Sequence, residues 1–341
     1  MARQALQAEA EQLREQLRAI EEQLEQPPRW PGGRPAVPGE GYNLGHYHEA
    51  AMSRVEADRA RMQEDGYRAE VADRVRQHDT NDGGDAARAA GLTLEPLSPG
   101  IGTLIHGVDL AAPTDAQIAV IQATFLDRKV IFFRNQGHIS REQHIAFGRR
   151  FADIGLAFGE QAALSANTSP DEYPEILPLY ADEDSAFVPS NWHSDVTWSD
   201  RPPLGSILLS RKSPPVGGDT LFLDSYAHWD GLPPALKELL EGRRAAHGRG
   251  ARTGSGNEVE HPIARTHPIT GKTALYINPT FTQSICGMEE AESARLLSQL
   301  YSRMYATPEY GCRFQWEDGS VAMWCVRKSA AAPGCSGAVV G

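Results

Sequence analysis

The chain is poor in cysteine and in positive charge. Four Cys among 341 residues, at 286, 312, 325 and 335, form neither a CxxC pair nor a dense framework, which excludes a disulfide scaffold and makes a reduced compartment the expectation. No apolar run approaches the roughly twenty residues that span a bilayer, and the first residues lack a signal-peptide core. With 33 Lys and Arg against 45 Asp and Glu, the net charge is −12. No long basic stripe offsets that charge, so a nucleic-acid partner is excluded. The expectation is a cytoplasmic protein with no membrane partner. Hydrophobic residues at 40% of 341 suffice for one large core plus an appendage.

The appendage is N-terminal. Leu6, Ala10, Leu13, Leu17, Ile20 and Leu24 fall at alternating spacings of four and three with Glu, Gln and Arg between them, the a/d stripe of a short coiled-coil-like helix over residues 1–26. Pro27 and Pro28 end it, and residues 27–45 carry five Pro and five Gly, the composition of a linker. A second charged helix is expected from Tyr47 to Gln77, with a thin apolar stripe of Met52, Val55, Met62, Val71 and Val75. Asp79 to Asp85 then reads as a break. Residues 27–91 are thus a linker and charged helix. The extension is a solvated appendage or a homo-oligomerisation helix.

From Leu92 the texture changes to short apolar runs with turn residues between them. Leu92–Leu97, Gly102–Val108 and Lys129–Arg134 read as strands, and Asp115–Asp127 and Arg141–Ala152 as helices. A strand-rich domain with helices outside fits a double-stranded β-helix, or jelly roll, whose mouth can hold a metal and ligands.

The stretch Asn191-Trp192-His193-Ser194-Asp195-Val196-Thr197-Trp198 carries the chemistry. Its residues are strand formers, and in a strand His193 and Asp195, two apart, point the same way. An imidazole and a carboxylate on one face supply two of the three protein ligands of a non-haem Fe(II) oxygenase site. Downstream, Gly217-Gly218-Asp219-Thr220 reads as a turn into a strand through Leu221, Phe222 and Leu223.

From Asn191 through Pro202-Pro203, Gly205–Leu209 and Pro214–Thr220, and again in His261–Lys272 and Leu275–Asn278, the sequence resembles the TauD/TfdA family of Fe(II)/2-oxoglutarate dioxygenases. The resemblance runs from Leu92 to Trp324, the span of the dioxygenase domain, and leaves residues 325–341 as an atypical tail. It implies Fe(II) on His193 and Asp195, 2-oxoglutarate hydrogen-bonded by Thr220, and dioxygen and a small anionic molecule as substrates. In taurine-oxidising members the segment of Asn278 and Phe281 borders the substrate pocket. Phe281 is therefore a candidate apolar wall or a core aromatic, and Asn191 a candidate to orient substrate or a loop. His261 and His267 match a strand pair outside the metal's ligands.

Departures from the family pattern are as informative. Gly155–Gly159 and Pro189 stand where taurine-type members carry pocket His, Tyr and Asn residues. Val321–Trp324 matches, but Ala331 stands at the distal iron His, and the position of the Arg that pairs with 2-oxoglutarate falls beyond Gly341. After Trp324 the composition turns to Ala, Gly, Ser, Pro and Val, where no strand is expected, so the jelly roll should be incomplete and leave an open edge. His228 or His267 is the alternative third ligand. The resemblance thus implies a dioxygenase by descent, or else a catalytically inactive jelly roll that binds a ligand or partner.

Overall fold

The computed structural model describes residues 83–151, 173, 176–177, 179, 192–200, 202–203, 205–248, 258–267, 269–325 and, as backbone, 329–333. The predicted helices over 2–26 and 47–77, together with Asn191, Gly155–Gly159 and Pro189, lie outside the described residues.

Chain order brings β1 (Thr93–Pro96), β2 (Thr103–His106) and β3 (Val130–Phe133) to one sheet, with helix α1 (Gly83–Ala89) before them and α2 (Asp115–Arg128) between β2 and β3. Helix α1 lies in the stretch read as linker, yet Ala87 is buried in the domain core. Thr114 and Gln117 close α2 with a reciprocal capping box, and Ser140 and Gln143 do the same for α3 (Arg141–Arg149). The latter helix stops short of the predicted Ala152, and Arg150 is its C-cap.

The remaining strands are β4 (Gly205–Leu209), β5 (Thr220–Asp224), β6 (Arg244–His247), β7 (Val259–Pro262), β8 (Ala264–Thr266), β9 (Thr273–Leu275), β10 (Thr282–Ile285), β11 (Gly311–Phe314), β12 (Val321–Cys325) and β13 (Ser329–Pro333). Helices α4 (Ser225–Asp230), α5 (Pro234–Leu240) and α6 (Glu290–Ala306) lie among them. The larger sheet runs β1-β2-β3-β12-β4, the smaller one β11-β5-β13, with β10-β6-β7 and β8-β9 beside them.

Register decides what faces inward. Ala322 is opposite Phe132 on one side and Leu208 on the other, and Trp324 is opposite Val130 and Ser206, so these residues share one face of the larger sheet. On the smaller sheet Phe222 is opposite Cys312, and Thr220 is opposite Phe314. The two faces meet where Phe132 stacks on Phe314, ring centroids 4.0 Å apart, and meets Phe222 edge-on at 5.5 Å. This is the expected jelly-roll interior. Behind it Ile131, Phe133, Val321 and Met323 pack with Ile118, Ile121 and Phe125 of α2 and Phe147 of α3. Strand β3 is therefore apolar at every position because both of its faces are covered. Between β1 and β2, Gly102 has φ 84°, and a Cβ there would lie 2.6 Å from Cys312 Sγ.

The smaller sheet corrects the expectation that no strand follows Trp324. The tail pairs antiparallel with β5 over Ser329–Pro333, opposite Asp224–Thr220. Three consecutive Ala carry no alternating pattern, but a ladder is made of main-chain groups and needs none.

Candidate active site

His193 and Asp195 converge, though not in the way strand alternation predicts. His193 sits at an isolated bridge and Asp195 opens a turn through Trp198, with Ser199 N–H donating to Val196 O at 3.0 Å. The reason is Val196, whose φ of 56° is left-handed and reverses the chain. For a β-branched residue that conformation costs on the order of 1–3 kcal/mol. Propensity read Val-Thr-Trp as strand, and tertiary contacts overrode it.

The two side chains end 3.7 Å apart, His193 Nε2 to Asp195 Oδ1, and are 21% and 26% exposed. Asp195 is oriented from its other oxygen, since Oδ2 accepts from Ser206 Oγ at 2.6 Å and from Trp324 Nε1 at 3.0 Å. Ser206 and Trp324 are register partners on the interior face of β4 and β12, so the strands that form the jelly roll also set the carboxylate. Neither residue is singled out by sequence reasoning. The periodicity that places them inward was available, but nothing local connects them to Asp195.

Thr220 begins β5 after Gly217 and Gly218, whose φ values of 83° and 75° require glycine. Its hydroxyl oxygen accepts from Trp316 Nε1 at 2.9 Å, which leaves the hydroxyl hydrogen free to donate elsewhere. Phe281 stands edge-on to His193, centroids 6.4 Å apart, and edge-on to Trp198 at 4.4 Å. His193, Asp195 and Phe281 are thus brought together.

The other histidines weighed from the sequence lie elsewhere. His261 Nε2 donates to Ser199 O at 3.0 Å, behind the turn. His267 Nδ1 accepts from the main-chain N–H of Ile269 and Thr270. His228 is enclosed by Tyr310 and Thr307, where burial and the nearby Arg303 push its pKa down to about 3. Position 331 is opposite Phe222 in the β13–β5 ladder, and its residue is Ala. Among the described residues, no group of three His, Cys, Asp or Glu side chains could hold a metal ion.

Comparison with known proteins supplies what geometry alone leaves general. Residues 93–328 match the model of the taurine catabolism dioxygenase TauD, TfdA family. The chain belongs to this family. Similar to it are a Schizosaccharomyces pombe protein, 30% identical over 68% of this chain and 62% of that one, and an alpha-ketoglutarate-dependent sulfate ester dioxygenase of Pseudomonas putida, 32% identical over 70% of this chain and 83% of that one. A crystal structure of a taurine dioxygenase from Burkholderia xenovorans aligns with a TM-score of 0.59 and 36% identity over 72% of this chain and 83% of that one. The chain spans less than two thirds of the fission-yeast relative's length. For this TauD/TfdA member, no helix among the described residues is long and apolar enough to cross a membrane.

Proposed function

We propose that this chain is built as an Fe(II)- and 2-oxoglutarate-dependent dioxygenase site for a small anionic substrate. His193 and Asp195 are its imidazole and carboxylate ligands, Thr220 the donor to 2-oxoglutarate, and Phe281 the pocket wall. The observation that carries this reading is the pairing of His193 Nε2 with Asp195 Oδ1 at 3.7 Å while Oδ2 is taken up by Ser206 and Trp324. A carboxylate fixed through one oxygen presents the other to a metal in a single orientation.

The donors fit two of the three protein positions of a facial metal site. Bound there, Fe(II) would supply dioxygen activation coupled to decarboxylation of 2-oxoglutarate to succinate and CO2. The residues hold and exclude. Ser206 and Trp324 keep Asp195 from rotating, Thr220 has its hydroxyl hydrogen available for a carboxylate, and the ring of Phe281, itself backed by Trp198, covers one side of His193. The anionic substrate class rests on the sulfate ester and taurine activities named for the relatives.

A second reading, an inactive jelly roll that binds ligand without turnover, is favoured by Ala at position 331 and by the lack of a third donor among the described residues. One experiment separates the two. The chain is supplied with Fe(II) and 2-oxoglutarate, with and without alkyl sulfates, sulfonates or aryloxy acids, and succinate is measured by NMR. Substrate-stimulated succinate that disappears in His193→Ala supports the dioxygenase. Binding of 2-oxoglutarate with no succinate supports the second reading. With two protein ligands among the described residues, turnover is expected to be low beside that of a chain given His at 331. The heptad stripe at Leu6–Leu24 is proposed as a self-association helix, tested by the mass in solution after deletion of residues 1–82.

A further inference from the structure

The turn that carries Asp195 is strained at Val196, and a strained turn persists only where its surroundings over-determine it. Hydrogen bonds reach residues 192–199 from the span 261–282. Thr280 Oγ1 donates to Trp192 O at 3.0 Å, His261 Nε2 to Ser199 O at 3.0 Å, and Asn278 Nδ2 to Thr197 Oγ1 at 3.3 Å. The first two hold the ends of the segment. The third acts next to Val196, between side chains that are 1% and 0% exposed.

Asn278 is itself held on every side. Its Oδ1 accepts from Phe281 N–H at 2.8 Å, its own N–H donates to Thr282 Oγ1 at 2.9 Å, and its carbonyl accepts from Tyr301 Oη at 3.2 Å. One amide therefore ties the turn bearing Asp195 to the loop that sets Phe281 against the His193 ring. Shifting the amide moves both.

We infer that Asn278, acting through Thr197, is a positioning residue that holds the Val196 turn so that Asp195 Oδ1 faces His193 Nε2. The inference rests on the assignment of those two residues as metal ligands and adds what keeps them in register. An amide that served the core alone would alter overall stability when disturbed. It would not selectively alter the turn or the metal.

The test uses the full chain and Mn(II) alone as probe. Thr197→Val keeps the side-chain shape but removes the oxygen, leaving the buried amide N–H without its partner; Thr197→Ser restores the oxygen. Mn(II) affinity is read by calorimetry, and hydrogen exchange is compared between the peptide 192–200 and that of β3. Thr197→Val is expected to weaken Mn(II) by about fivefold or more and to speed exchange in 192–200 while β3 is unchanged, with Thr197→Ser close to the parent. Asn278→Ala and the double variant Asn278→Ala/Thr197→Val should match each other, since both break one shared contact.

A folded Thr197→Val chain whose affinity and turn exchange equal the parent's overturns the inference, as does a loss that Thr197→Ser fails to recover. If Asn278→Ala does not fold, the two Thr197 variants decide alone. A parent chain that takes up no Mn(II), or a His193→Ala chain that takes it up equally, overturns the ligand assignment and this inference with it. That result differs from a metal site that survives loss of the Thr197 hydroxyl.

Discussion

The indole of Trp324 donates a 3.0 Å hydrogen bond to Oδ2 of Asp195, joining an inner strand of the larger sheet to the turn that carries Asp195. The same ring packs against Phe222, centroids 5.7 Å apart. Trp324→Phe would keep that packing and remove the donor. Metal affinity should fall by roughly tenfold, the scale for a lost partner behind a metal ligand, with a small change in thermal midpoint. Calorimetry with Mn(II) on the two folded proteins measures it, and equal affinities would show that Ser206 alone orients the carboxylate.

Position 331 is opposite Phe222, where the family pattern puts its distal His. Ala331→His is therefore expected to tighten Mn(II) binding by tenfold or more, on the order of 1.4 kcal/mol, and to raise succinate production from the parent's level. The affinity of 2-oxoglutarate should stay unchanged, because an imidazole at 331 adds no cation to pair with its carboxylate. Titration of metal and co-substrate separately checks both halves, and no gain in metal affinity would refute the placement.

Acid should loosen the fold through histidines that stay neutral inside it. Burial, reinforced by His261 and Arg265, holds His247 down to about 3, and burial near Arg303 does the same for His228. Both sit below their unfolded value, so between about pH 6.5 and 3 the unfolded chain binds protons that the folded chain does not. Stability should be flat in this respect above pH 7 and fall on acidification, each buried His adding up to about 1.4 kcal/mol per pH unit. Urea midpoints at pH 8, 7, 6 and 5 test the shape. In His247→Gln the acid slope should be shallower than in the parent, whatever the absolute stability.

Lys129 and Asp224 form a buried ion pair, 2.9 Å apart and 9% and 7% exposed. Asp224 Oδ1 also caps α4 by accepting from the N–H groups of Tyr226 and Ala227. Asp224→Ala leaves a buried ammonium without its anion and a helix without its cap. The expected loss is about 3–5 kcal/mol, read as a shift in the urea midpoint. A loss under about 1 kcal/mol would mean that the pair is solvated in solution.

Legibility followed the range of the interactions. Strands β1 to β3, helix α2 and the Gly217-Gly218 turn are announced locally, by apolar runs, a Thr–Gln capping box and glycines where φ must be positive. His193 and Asp195 were legible as residue types, but the reason they face each other was not. Alternation predicted one strand face, whereas the chain reverses at a left-handed Val196, with hydrogen bonds from Asn278 and His261 on the residues that follow it. Ser206 and Trp324 were invisible for the same reason, because hydrogen bonds across the fold leave no periodic trace. Strand β13 was missed because small residues without alternation pair as readily as a patterned run when a neighbour offers its edge.

That last strand separates two inheritances that usually travel together. The ladder on Phe222's strand is made of peptide groups, which every residue but proline carries in full, so the architecture tolerates almost any wording in the segment that seals it. Coordination tolerates almost none, because it depends on which side chain stands at one rung. A lineage of such chains would lose its hold on a metal without losing its shape, and a single codon at position 331 would then be the distance between a silent scaffold and one that takes up a metal.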